Sequence, residues 1–179
     1  MHTSKTKNLK VRFPTYLLIP SARDFGHGAW MDHLDDEENY STKVPADPYT
    51  CDVRCCYVGW VGVAMGEPAA NPTSFGKAST REFLILSLAE VSGRPREVFT
   101  RLDVADLGLV MSDLFEHGVV GDRSDTRFGE GPPGTPSLDS TTLLPKYRTG
   151  DRGQMMPGKA CKLFKAVGRQ LGYDVENAS

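Results

Sequence analysis

The stretch CDVRCCYVGWVGVAMG, residues 51 to 66, places three thiols within six positions. A thiol does chemistry as a thiolate nucleophile or as a metal ligand. The nucleophile reading takes Cys55 or Cys56, at the expected start of a helix, where unpaired N–H groups favour the thiolate. His117, in EHGVVGD, would be the base of a small cysteine-dependent hydrolase. The metal reading draws on His27, His33, Cys51 and Cys56 as four zinc ligands. Its spacing is poor: there is no CxxC, and adjacent Cys55 and Cys56 diverge by about 100° on a helix. The third reading is structural. Free cysteine is among the most buried residue types, and the flank YVGWVGVAM is apolar, which raises a thiol pKa instead of lowering it. Cys56 and Trp60, one helical turn apart, then share a core face. The apolar flank favours this third reading, so no catalytic residue, metal or cofactor is expected. A bridge between Cys51 and Cys56 across the helix start would imply an oxidising setting.

Other polar groups are read as solvated. The run Asp35, Asp36, Glu37, Glu38 lacks the alternate-residue oxygen spacing of a calcium loop. GEGPPGTP has neither the strand-to-helix context nor the lysine of a phosphate cradle. Lys159, Lys162, Lys165 and Arg169 fall on the wet face of a final amphipathic helix, where they could also meet phosphate or an acidic partner.

These residues must be positioned by short elements. Pro14 opens and Pro20 closes a segment that reads as a short helix or, nearly as well, a strand. Residues 21 to 50 read as an irregular loop anchored by Phe25 and Trp30. Residues 55 to 66 carry no charge and no proline, as a helix buried all round would. Ser79 and Glu82 have capping-box spacing before FLILSLAEV, and Gly93 ends that helix. Pro95 restarts a short helix through Phe99. Asp103 caps the next one, with Val104, Leu107, Met111, Leu114 and Phe115 on one stripe and Gly118 at its end. Ala160, Leu163, Phe164, Val167 and Leu171 define the last helix, 158 to 171. The expected fold is mainly α: a compact bundle of four or five short helices with a long irregular arm before the C-terminal helix. The expected organisation is a flexible tail over 1–8, a helical domain over 9–118, the arm over 119–157, and the final helix and tail over 158–179.

Totals narrow the function classes. A net charge of −2, from 21 basic and 23 acidic residues, gives no nucleic-acid footprint and no general membrane attraction. No apolar run approaches the roughly 20 residues that span a bilayer. The expectation is a protein made in the host cytoplasm, with reduced thiols, that can end in a virion.

Phe25, Trp30 and the run Cys51-x4-Cys56-Tyr57-Val58-Gly59-Trp60 resemble a segment shared by a group of small phage and bacterial proteins. That segment reads roughly F-x-M-x-x-W, a gap, then C-G-T-x-x-C-I-A-G-W-A, and a later Leu- and Phe-bearing segment is similar to residues 98 to 115 here. Asp52 and Val53 stand where the group has Gly and Thr, Cys55 replaces a small residue, and the gap before Cys51 is longer. The resemblance spans residues 25 to about 115 and leaves the arm and last helix unexplained. No activity is attached to the group. It implies a compact helical module and a phage or prophage setting.

The arm supplies the remaining functional expectation. Residues 119 to 157 are rich in Gly, Pro, Ser, Thr and Asp and bury too little apolar surface to order themselves. Other protein subunits, in a homo- or hetero-oligomeric assembly, would hold them through Leu138, Leu143, Leu144, Tyr147, Met155 and Met156. The leading expectation is therefore a non-enzymatic virion component. The alternatives are a phage-encoded inhibitor of a host protein and the cysteine hydrolase.

Overall fold

A computed structural model describes residues 16–32, 41–49, 53–120, 138, 141–148 and 153–177. Four helices dominate it, with two small two-stranded sheets. The first helix, α1, runs Tyr57–Met65 and is the hub: Tyr57 through Val63 are all buried. Its sequence needs no polar face because it is surrounded. Gly66, at φ 80°, stops it in the left-handed conformation that glycine adopts without penalty. Gly59 lets the backbone of Trp30 lie directly on the helix, since a Cβ there would overlap the Trp30 carbonyl oxygen.

The second helix, α2, spans Ala78–Ser92 and packs on α1. It starts one residue before the expected capping box, and Lys77 at its N-cap gives no side-chain cap. The buried carboxylate of Glu67 does the capping instead. It accepts from Gly76 N at 3.1 Å, Lys77 N at 2.8 Å and the Thr80 hydroxyl at 2.8 Å. Glu82 is free of capping duty and pairs with Arg96 at 2.9 Å. The third helix, α3, runs Val104–His117 and begins as expected, with the Asp103 carboxylate accepting from Asp106 N at 2.8 Å. The fourth, α4, runs Pro157–Gln170 and buries Ala160, Leu163, Phe164 and Val167.

The strands join distant parts of the chain. In β1, Tyr16–Ile19, Leu17 and Ile19 face the core while Tyr16 and Leu18 face out. It pairs in parallel with β4, Asp174–Asn177, with Leu17 opposite Val175. The tail after the last helix is thus part of a sheet. In the second sheet β2, Met31–Asp32, pairs antiparallel with β3, Arg54–Cys55. Among the described residues no helix is long and apolar enough to cross a membrane.

An aromatic web fills the centre: Phe25, Tyr57 and Phe164 meet pairwise at centroid distances of 5.8–6.3 Å. Phe83 lies against Phe164 at 4.9 Å. Trp60, 1% exposed, donates its indole N–H to the Asp24 carbonyl at 2.8 Å. The Tyr57 hydroxyl meets Ser87 Oγ at 2.7 Å, and Ser87 Oγ in turn donates to the Phe83 carbonyl at 2.8 Å, so this buried polar pair is satisfied.

The arm corrects an expectation. Leu138, Leu143, Tyr147 and Met155 belong to the chain's own core, each no more than 8% exposed, and Leu144 packs partly buried against it. Their backbone is sewn onto helix ends: Leu144 N donates to Val91 O at 2.7 Å, Leu143 N to Gly118 O at 2.9 Å, and Met155 N to Phe115 O at 3.0 Å. The ends of α2 and α3 therefore supply the surface that a partner was expected to supply. Of the six residues, Met156 stays open, at 42% exposure.

Candidate functional site

Cys56 is the N-cap of α1, in extended conformation at ψ 172°. Its Sγ accepts from Gly59 N at 3.4 Å. Its own N–H donates to the Ala29 carbonyl at 3.2 Å, and its carbonyl accepts from Trp60 N at 3.1 Å. The loop before β2 is thereby clamped to the start of the helix. A helix N-terminus favours a thiolate, but burial wins here. Desolvation is the largest influence and pushes the Cys56 thiol up to about 12; the Gly59 amide opposes it and the Glu116 carboxylate adds to it. At neutral pH the sulfur carries its proton. It is a free thiol, and Cys51, the other end of the bridge considered above, lies outside the described residues.

Cys56 nevertheless borders a cleft of about 370 Å³. One wall is the backbone turn Gly28–Ala29 with Trp30; the opposite wall is Ser112, Glu116 and His117 from the last turns of α3. Glu116 ties the two together. One of its oxygens accepts from Gly28 N at 3.0 Å, the other from His27 Nδ1 at 3.2 Å. A carboxylate only accepts, so the proton of that bond sits on His27 Nδ1. The His27 ring also stacks on Phe115, centroids 4.3 Å apart and planes 14° apart.

Of the nucleophile pair, Cys56 shares this cleft with His117. Cys55 does not. It lies in β3 opposite Met31 and borders a separate hollow of about 70 Å³ with Asp32 and Arg54. Burial, then Cys56, then Asp24 raise its pKa further than that of Cys56. Among the described residues no hydrogen bond joins the Cys56 sulfur to an imidazole. The Cys56 amide, a natural donor to an oxyanion beside such a nucleophile, is spent on Ala29. The cleft thus places a thiol and an imidazole on one surface without the activated contact that acyl transfer requires.

Among the described residues no group of three or more His, Cys, Asp or Glu gathers to hold an ion, and of the zinc set His27 and Cys56 are described. His27 is committed to Glu116. His33 and the acidic run Asp35–Glu38 lie outside the described residues. Ser112 and Glu116 were not among the sequence candidates. They stand one helical turn apart, a spacing that puts them on one face of α3, but nothing local reveals which loop that face meets.

Comparison of the chain with protein-family models, with curated proteins and with solved structures finds no match.

Proposed function

We propose that the protein is a non-enzymatic, phage-type protein that acts through protein–protein contacts, as a structural or assembly component of a virion. The observation that carries the non-enzymatic part is the sealed thiol: Cys56 is 2% exposed, caps its own helix and stays protonated at neutral pH. The phage setting rests on the resemblance of residues 25 to about 115 to small phage and bacterial proteins. Surface apolar groups at Tyr16, Leu18, Val119 and Met156, between 37% and 59% exposed, are available for contact. The described arm residues pack on the chain's own core, so the arm carries no argument for a partner. The test is light scattering behind size-exclusion chromatography, with mass spectrometry of purified particles from the source. Stoichiometric presence in particles, or a defined oligomer, is the expected result. A strict monomer absent from particles overturns the virion role and leaves the inhibitor reading.

One observation favours a second reading, the small cysteine-dependent hydrolase: Cys56 and His117 border one cleft. It requires that substrate entry expose and ionise the thiol. Stoichiometric alkylation of Cys56 in the native protein at neutral pH would support it.

A further inference from the structure

We propose that the cleft between Trp30 and the end of α3 is a binding site for a cationic side chain, an arginine presented by a partner protein, held by Glu116 and Trp30. The inference rests on the protein-contact reading and gives that contact its chemistry.

The charge of the walls points this way. Glu116 is the carboxylate on them, and it stands at the C-terminal end of α3, the negative pole of that helix. Two of its roughly four lone-pair positions are taken, by Gly28 N and His27 Nδ1, which leaves acceptor capacity for a guanidinium. Ser112, one turn earlier, adds a hydroxyl acceptor. The field of the carboxylate reaches the cleft floor, since it contributes to the upward push on the Cys56 thiol.

An anionic ligand is disfavoured by the same geometry. The amides at the start of α1 would be its donors, but Gly59 N is covered by the Cys56 sulfur and Cys56 N is spent on Ala29. A bulky ligand is disfavoured by size. At about 370 Å³ the cleft lies at the small end of ligand sites, room for one long side chain. Trp30, half-buried, lines the cleft, and a planar guanidinium stacks on an indole better than an ammonium does. Two imidazoles border the carboxylate, His27 by its hydrogen bond and His117 as its chain neighbour.

The test follows indole fluorescence at pH 8 and low salt while titrating Nα-acetyl-argininamide, its citrulline counterpart being the neutral isostere. Trp60 is buried, so a change reports on Trp30. Saturable binding of the arginine probe, with the citrulline probe roughly tenfold weaker, is the expected result. Glu116→Gln should abolish that difference. Because Glu116 also pins the loop, Ser112→Lys is the second variant: it places a competing cation in the cleft and should block the arginine probe with an unchanged melting temperature. Equal binding of the two probes, or binding of neither, overturns the proposal. Hydrolysis of an Nα-acyl-arginine ester that is lost in Cys56→Ala would overturn the protein-contact reading and leave the ligand class standing. A defined oligomer with no arginine binding would do the reverse.

Discussion

Gly59→Ala tests the contact on which the cleft depends. The Gly59 α-carbon lies under the Trp30 backbone, so an added methyl would overlap the Trp30 carbonyl oxygen and stand 2.9 Å from the Cys55 Cβ and 3.0 Å from the Trp30 carbonyl carbon. These neighbours are backbone and a strand residue, not a flexible side-chain end, so the loop must move. Because the clash is with backbone, the cost falls in the upper part of the overpacking range, about 2–3 kcal/mol, against a gain of about 1 kcal/mol from replacing a helical glycine by alanine. The net destabilisation is about 1–2 kcal/mol, which for a chain of this size is a Tm drop of roughly 2–8 °C. Gly158→Ala is the control. That residue also lies in a helix, but an added Cβ there meets nothing within 4 Å, so the substitution should stabilise by about 0.5–1 kcal/mol. Thermal unfolding by circular dichroism of the three proteins at one pH decides it. A Gly59→Ala variant that melts at or above the unsubstituted protein would refute the close approach of the 28–30 loop to α1, and with it the cleft wall.

Three further outcomes follow from the packing. Truncating the arm as Leu143→Ala or Met155→Ala should cost about 2–5 kcal/mol in urea unfolding of the isolated chain; a residue that only waits for a partner would leave that stability unchanged. Glu67→Gln should cost about 1–3 kcal/mol and speed hydrogen exchange at the start of α2, because an amide replaces a carboxylate that faces two backbone N–H groups and a hydroxyl. Alkaline pH should destabilise the fold. Cys56 and Tyr49, both pushed up to about 12 chiefly by burial, stay protonated in the folded chain while an unfolded thiol ionises near about 8.5 and an unfolded phenol near about 10. Their contribution is complete below those unfolded values and is lost as pH rises towards about 12, so the urea midpoint should fall from about pH 8.5 upward, less steeply in Cys56→Ala. A flat midpoint from pH 8 to 11 would contradict the burial of both groups.

Helices whose signals are local were legible in the sequence. Asp103 and Gly118 bound α3 within a residue, because cap and stop act on their own helix. The segment 55–66 has the pattern of a buried helix, yet Cys55 is withdrawn into β3 by its pairing with Met31, which no local pattern announces. The expected capping box at Ser79 failed for the same reason. Glu67, ten residues before Lys77, reaches the helix start through a turn, and its buried carboxylate satisfies more donors than the local box would. The pairing of β1 with β4 joins four-residue pieces from opposite parts of the chain, too short for period-two alternation to stand out. Composition misjudged the arm because it measures mean apolarity. Leu138, Leu143 and Met155 are few, but all three join the chain's own core, and backbone hydrogen bonds tie Leu143 and Met155 to the end of α3. At the site, Cys56 and His117 were legible as a pair by residue type, whereas Glu116 and Ser112 gain their significance from the loop at Gly28.

The choice of cysteine at position 56 follows from two demands that conflict. An N-cap needs an acceptor for the amides of the first turn, which serine or aspartate supplies best. The site is 2% exposed and enclosed by apolar neighbours, where a carboxylate would be costly and a hydroxyl would want a partner for its own proton. Sulfur is a weak acceptor that behaves as a small hydrophobe, so it meets the Gly59 amide at 3.4 Å while counting as core. The neighbouring negative charge of Glu116 acts in the same direction, against ionisation. A nucleophile would need the opposite setting, with solvent access and a cation or base at hydrogen-bond distance. Beside the Glu116 carboxylate and Trp30 that line the cleft, the sulfur at 2% exposure therefore keeps its proton and serves as the cap of its own helix.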